Sequence, residues 1–414
     1  MIDETLATWH STLESPNIPV RQTRMVYAVN RSTESVLKKL SRAQRMGEFG
    51  LHFSRGWDES IDRKKGYFES GWGRPASWGD AILQGPHLFV ATPMYKMPNR
   101  TMLHQQDWSA TDFESLTIDA IPITAYKPTR DRRRYDCDYT LWGDEDPRSA
   151  RDFYRVAWRA MAANTNERTL ISAIIPPGAA HVNGIFCVGS SDISPHSLVE
   201  VAGFSGSLVG DFLVRIAPKN GIFQGSFNRL PIVSGHSMRN ELTLRVLRLN
   251  CVTSAYADLW RDCYSPSFLD DTWTGGLNHV CRLPISLVGP VWTSATPLRI
   301  SADRRQALVE VDALVSLMLG LTAAELCAIY RTQFPVLYGY DRNVYCYDIN
   351  GRLVPNSVLS VWRKKGDRIT QEERTATNQA GNTYTYELPF VTLDREADMR
   401  QAYAHFERLL KERS

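Results

Sequence analysis

Residues 301–320, SADRRQALVEVDALVSLMLG, place Leu308, Val311, Leu314, Val315 and Met318 at helical spacing and then stop at Gly320. Thr322 and Glu325 follow in the Thr-x-x-Glu pattern of a capping box, which opens a second helix, LTAAELCAIYRTQF. A stripe that repeats every three or four residues has to be buried against another element. A glycine stop followed by a cap leaves little freedom in where one helix ends and the next begins. Leu326, Ile329 and Phe334 of the second helix read as core or partner contacts. The last residues, DREADMRQAYAHFERLLKERS, form another amphipathic pattern with Met399, Tyr403, Phe406 and Leu410 inward. The helices at 301–320, 322–334 and 394–412 are therefore expected to form a bundle with ordinary polar outer faces.

Upstream the pattern is mixed. Residues 147–168 are expected to be helical after Pro147, with Phe153, Val156, Ala157 and Ala160 on one side. A strand, Thr169 to Ile175, follows and is stopped by Pro176, Pro177 and Gly178, which cannot continue a ladder. Residues 234–260 read as one or two helices with a Leu242, Val246, Leu249 stripe and Arg239, Arg245 and Arg248 outside it. SVLKKLSRAQR (35–45) is a basic segment placed on a helix, preceded by a short strand TRMVYAVN. Short strands and turns run from GLHFSRGWDES to MYKMPNR, with an apolar run Leu88 to Ala91 between prolines. DRNVYCYDINGRLVP carries the hairpin signal Asn350-Gly351, and NTYTYELPFV is β-prone. The expected class is α+β, a β-rich part with a helical region and no internal repeat.

At 414 residues the chain can build two or three cores. No apolar run approaches the ~20 residues that span a bilayer, and MIDETLATWH is acidic where a secretory signal is basic. Seven cysteines without Cys-x-x-Cys or a Cys/His cluster read as reduced thiols, with no zinc site, and point to the cytoplasm. Net charge is only +3, so distribution matters more than total. RDRRRY (130–135) and VWRKKGDR (361–368) are concentrated, and Tyr135 and Trp362 flank them. Arg132, Arg133, Arg134, Lys364 and Lys365 are thus candidates for phosphate contacts, although each run alone reads as a solvated face.

The Ile-Pro-Pro-Gly at 175–178 stands where adenine methyltransferases carry a polar-Pro-Pro-aromatic loop. Such a loop stacks a flipped base and accepts hydrogen bonds from its amine. Ile175 and Gly178 can do neither. GFSGSLVG (203–210) and ESGWGRPASWG (69–79) lack the strand-Gly-x-Gly-helix spacing of a cofactor turn. Glu-x-Lys, the core of a common nuclease motif, does not occur. No catalytic residue, metal or cofactor is assigned to this chain.

The series GWDESIDRKKGYFE, LQGPHLFVATPMYKMPN, FYRVAWRAMAANTNERTLISAIIPPGAAHVN, LRVLRLNCVTSAYADLW and ALVEVDALVSLMLGLTAAELCAIYRTQFPVL resembles a known family. It is similar to the C-terminal half of long single-chain adenine-N6 DNA methyltransferases of type IIG/IIL restriction–modification, BREX and DISARM defence. The resemblance spans residues 45–414 and lacks the methyltransferase half. It implies a stand-alone specificity subunit or a split piece of such an enzyme, with S-adenosylmethionine bound on a partner. The partners implied are double-stranded DNA and a methyltransferase subunit that carries the catalytic core. Domains are expected at 1–145 (β-rich, with the basic helix), 146–300 (target recognition) and 301–414 (helical spacer). Candidates for contacts to base edges are Asn164, Asn166, Arg168, Lys219, Asn220, Gln224 and Asn228, with His181 and Asn183 after the prolines. Each could equally cap its own turn, and Glu167 with Arg168 could be a structural ion pair. The competing readings are a scaffold protein of a defence complex and, behind it, a nuclease subunit.

Overall fold

The computed structural model describes Pro19 and residues 31–413, apart from 103–106, 130, 162, 217–219 and 276–281. The TRMVYAVN strand and Lys219 lie outside the described residues. The fold is mixed α+β. The chain runs from α1 (Arg31–Leu40) into β1 (His52–Ser54), then β2 (Phe68–Gly73) and β3 (Thr124–Pro128), which pair antiparallel, and the short α2 (Arg132–Cys137). With β4 (Arg155–Arg159), β5 (Ser172–Ile175) and β6 (Ile185–Gly189), β1 forms a four-stranded antiparallel sheet in the order β5-β4-β6-β1.

This sheet is buried on both faces. Val156, Trp158, Ile174, Phe186 and Val188 point into the larger core. Ala157, Ala173, Ile175, Ile185 and Cys187 point into a second core with Trp57, Tyr135 and Trp142. The helix expected over 147–168 is corrected by this arrangement: 155–159 is the second strand of the sheet, preceded by one turn at Ala150–Asp152. A short strand that is apolar on both sides has the same composition as a buried helix turn, and only its partners distinguish them.

Beyond the sheet the chain is mostly helical: α3 (Pro195–Gly206), α4 (Leu208–Ile216), α5 (Arg239–Asn250), α6 (Ala257–Cys263), α7 (Ser301–Met318) and α8 (Ala323–Gln333). Within the target-recognition region expected over 146–300, extended pairing after β6 is limited, among the described residues, to Pro231–Ile232 against Gln44–Arg45 and the bridge of Gly221 to Met161. Ser194 starts α3 by accepting from the Ser197 amide at 3.1 Å, with Pro195 in the first turn. No single described helix is long and apolar enough to cross a membrane. The apolar pair α3 and α4 is bent by 58° and buried in the core. After α8 come α9 (Pro335–Asn343), α10 (Asn356–Lys365), the hairpin β7 (Thr375–Thr377) and β8 (Thr383–Thr385), and α11 (Arg395–Glu412). The segment between α9 and α11 has its own small core of Cys346, Val354, Val358, Leu359, Ile369, Tyr386 and Phe390.

The capping box is present as expected. Thr322 Oγ1 accepts from the Glu325 amide at 3.2 Å, and Glu325 accepts from the Thr322 amide at 2.7 Å. Glu325 also takes Lys39 of α1 at 2.7 Å, which ties the basic helix to the bundle. The boundary expected at residue 300 does not separate two cores. Leu314 and Val315 of α7 share one core with Val156 and Trp158 of the sheet and Leu242 of α5. The polar face expected on α7 is also corrected: Asp303, Arg304, Arg305, Gln306, Glu310 and Asp312 are all buried. So are Arg245 and Arg248 on α5, which the stripe had placed outside.

Candidate nucleic-acid interface

Arg168 is an anchor inside the fold. Its Nε donates to Asp211 Oδ2 at 2.7 Å, and its Nη2 donates to the Gly206 and Ser207 carbonyls at 2.7 and 2.9 Å. Those carbonyls lie at the C-terminal end of α3, where unpaired acceptors favour a cation. Asp211 is fully buried and also accepts from the Thr169 and Leu170 amides. Arg215 completes the cluster and stacks on Phe334 with 4.3 Å to the ring centroid. Withdrawing such a guanidinium would strip the buried Asp211 of its closer cation and leave Arg215 at 3.5 Å, so Arg168 is corrected from base reader to structural residue. Its ion pair is with Asp211, while Glu167 accepts from Tyr345 at 2.7 Å.

The remaining candidates fall in three places. Asn164 and Asn166 are exposed on the loop after β4, and Asn220 is exposed on the loop after α4, with the half-buried Gln224 close by. These two loops are neighbours: Met161 bridges Gly221, and the Ile222 amide donates to the Ala160 carbonyl at 2.8 Å. Their apolar tips, Met161 at 75% and Phe223 at 59%, are among the most exposed large apolar side chains of the fold. Phe223 rests on Phe186, which packs on Trp158, and Trp158 stacks on Phe227 at 4.0 Å. The tip therefore stands on a rigid aromatic base. Sequence reasoning passed over Met161 and Phe223. The available signal was a large apolar residue inside an Asn/Gly-rich turn. Asn228 is half-buried against Gly47, and its backbone carbonyl accepts from the Gly47 amide at 2.9 Å, so it holds a turn.

The basic clusters lie elsewhere. Arg132 pairs with Asp80 at 2.7 Å and Asp136 at 3.2 Å, which neutralises it. Arg134 stacks on Tyr67 at 4.9 Å, and Arg133 is exposed on α2. Lys364 is exposed at the end of α10, whereas Lys365 pairs with Glu373. Both lysines lie on α10, whose Val358 and Leu359 belong to the small third core, whereas Tyr135 of α2 belongs to the second core.

The Ile-Pro-Pro-Gly segment is built into the second core. Ile175 is fully buried, and Arg155 donates to the Pro176 and Ala179 carbonyls at 3.2 and 2.5 Å. Gly178 takes φ +88°, and a Cβ there would lie 3.0 Å from the Gly79 nitrogen. His181 is buried against Cys187 at 3.2 Å, and burial pulls its pKa down to about 3, so it is neutral and structural. Asn183 holds the Asp58–Glu59 turn through both its side-chain atoms. No group of three or more His, Cys, Asp or Glu side chains able to hold a metal occurs among the described residues. No family model and no curated protein matches the sequence.

Proposed function

We propose that this chain is the sequence-specificity subunit of an adenine-N6 DNA methyltransferase complex. It binds duplex DNA, and a separate chain supplies the catalytic core and S-adenosylmethionine. The observation that carries this reading is the pairing of two loops at Ala160–Met161 and Gly221–Ile222, which carry Asn164, Asn166, Asn220 and Gln224 along with the exposed Met161 and Phe223. Amide side chains pair with the adenine edge in the major groove, and apolar tips suit thymine methyls. Neither loop sequence carries a carboxylate other than Glu167, which accepts from Tyr345. The likeness in sequence to methyltransferase specificity halves supports the same assignment. A second reading, a protein scaffold, is favoured by the internal neutralisation of Arg132 and Lys365.

Methylation across a library of duplexes, with the methyltransferase chain added, tests the proposal. Asn166→Ala or Gln224→Ala should relax the recognised motif at one base pair, at a cost of about 1–3 kcal/mol there. A chain that binds no duplex at low salt, alone or with its partner, would establish the scaffold reading instead.

A further inference from the structure

Between β2 and the β7–β8 hairpin lies a cleft of about 540 Å³, in the size range of small-ligand sites. Its wall is made by a bulge. Ser70 stands opposite Tyr126 and Gly73 opposite Thr124, so β2 carries one extra residue there. Bulges re-aim a side chain out of the strand's alternation. Here the side chain is Trp72, set between Gly71 and Gly73, 39% exposed, with its Nε1 pinned on the Pro98 carbonyl at 2.7 Å. A Cβ at Gly71 would come 2.8 Å from the flexible Lys127 side chain, which would have to shift to admit it.

Cations outnumber anions around this ring. Arg74 and Arg100 line the cleft, both exposed, and neither pairs with a carboxylate among the described residues. The Arg100 guanidinium sits 6.0 Å from the Trp72 ring. The one carboxylate in the lining, Asp112, is tied to the hairpin by neutral donors. Its Oδ2 accepts from Asn378, Asn382 and Tyr384 at 3.0, 2.7 and 2.8 Å. The neighbouring Asp107 accepts from Asn99 at 2.7 Å and Thr101 at 2.5 Å. The hairpin tip closes the far side, with Gln379 accepting from the Ala110 amide at 2.7 Å. Met102, beside Arg100, takes φ +42°, a left-handed conformation uncommon for a non-glycine residue.

We propose that this cleft binds an unpaired nucleotide, with the base stacked on Trp72 and the phosphate held by Arg74 and Arg100. An aromatic face accepts any base, and paired guanidiniums suit a phosphate. The site is separate from the Asn164–Gln224 loops and does not depend on the duplex reading.

The test uses the full chain and two probes: a fluorescein-labelled dT12 single strand followed by anisotropy, and AMP followed by calorimetry. Trp72→Ala should weaken binding about tenfold, and Trp72→Phe should retain most of it. Arg74→Ala with Arg100→Ala should flatten the salt dependence for dT12 by about 0.7 log units per lost phosphate contact. Binding of AMP as well as dT12 identifies a site that takes free nucleotides, and binding of dT12 alone identifies a single-strand site. Absence of both, or wild-type binding in either the Trp72→Ala or the double-arginine variant, overturns the proposal. Duplex binding by Trp72→Ala should equal wild type, which keeps this result distinct from the fate of the specificity reading.

Discussion

Helices α7 and α11 are both 18 residues long, both carry an apolar stripe, and they pack on each other. Yet α7 is buried nearly all round, while α11 buries only Arg395, Met399, Ala402 and Phe406. The charged side chains of α7 are accordingly met inside the fold, some by opposite charges and some by backbone groups. Arg245 of α5 donates to Glu310 at 2.6 Å and to Asp271 at 2.6 and 3.0 Å. Glu310 is further held by Thr274 and Gln306. Arg304 donates to the Leu298, Ala91 and Leu249 carbonyls. On α11 the pairs Arg400–Glu396 and Lys411–Glu407 run along a solvated face. Equal periodicity thus gave two different environments, because the periodicity records only where the apolar side chains fall. Whether the other face meets water depends on what the rest of the chain lays over it.

The largest contrast should come from placing a charge in each stripe. Leu314→Asp should cost about 5 kcal/mol or more, through a lost apolar side chain and an unpaired buried charge, and abolish cooperative unfolding in urea. Leu410→Asp on the half-buried edge of α11 should cost about 1 kcal/mol. Similar losses from both would show that the two stripes are equally buried and break the comparison. Next in size is the pair of glutamates. Glu310→Ala leaves Arg245 without one counter-ion and should cost about 3–5 kcal/mol, whereas Glu407→Ala should cost at most about 0.5 kcal/mol. Chemical denaturation of both variants decides it, and a small effect at Glu310 would mean that Asp271 alone satisfies Arg245.

The smallest effect sharpens the comparison through pH. Asp312 on α7 is buried, and burial raises its pKa from 3.8 to about 6, against the opposing pull of Arg168 and Arg395. Its proton is therefore bound more tightly in the folded chain than in the unfolded one. The resulting stability is fully present below pH 3.8 and is lost as pH rises through about 6. Asp312→Asn keeps an acceptor for the Leu208 amide, which Asp312 holds at 2.7 Å. The variant should gain on the order of 1 kcal/mol over wild type between pH 4 and 7. An unfolding midpoint that tracks wild type across that window would place the titration elsewhere.

The candidate interface was legible only in part. Asn164, Asn166 and Asn220 reach the surface because polar residues in Asn/Gly-rich turns seldom have anything to bury against. Arg168, two positions beyond Asn166, does not, because its partner Asp211 is 43 residues away and buried. The RDRRRY run overstated the available charge for a similar reason: Asp80, which neutralises Arg132, comes from 52 residues earlier. Trp72 was not singled out, since a bulge is a relation between two strands and has no signature in one.

What the sequence determined by itself was local. The start and stop of α7, the capping box at Thr322 and Glu325, the end of β5 at the two prolines and the amphipathic α11 all depend on residues within a turn or two of one another. The tertiary structure decided which polar groups became internal. It also decided that 155–159 is a strand rather than a helix, and that α7 lies in the same core as the sheet. Those outcomes turn on desolvation and on hydrogen-bond partners supplied from distant parts of the chain, so no local pattern of residues could contain them.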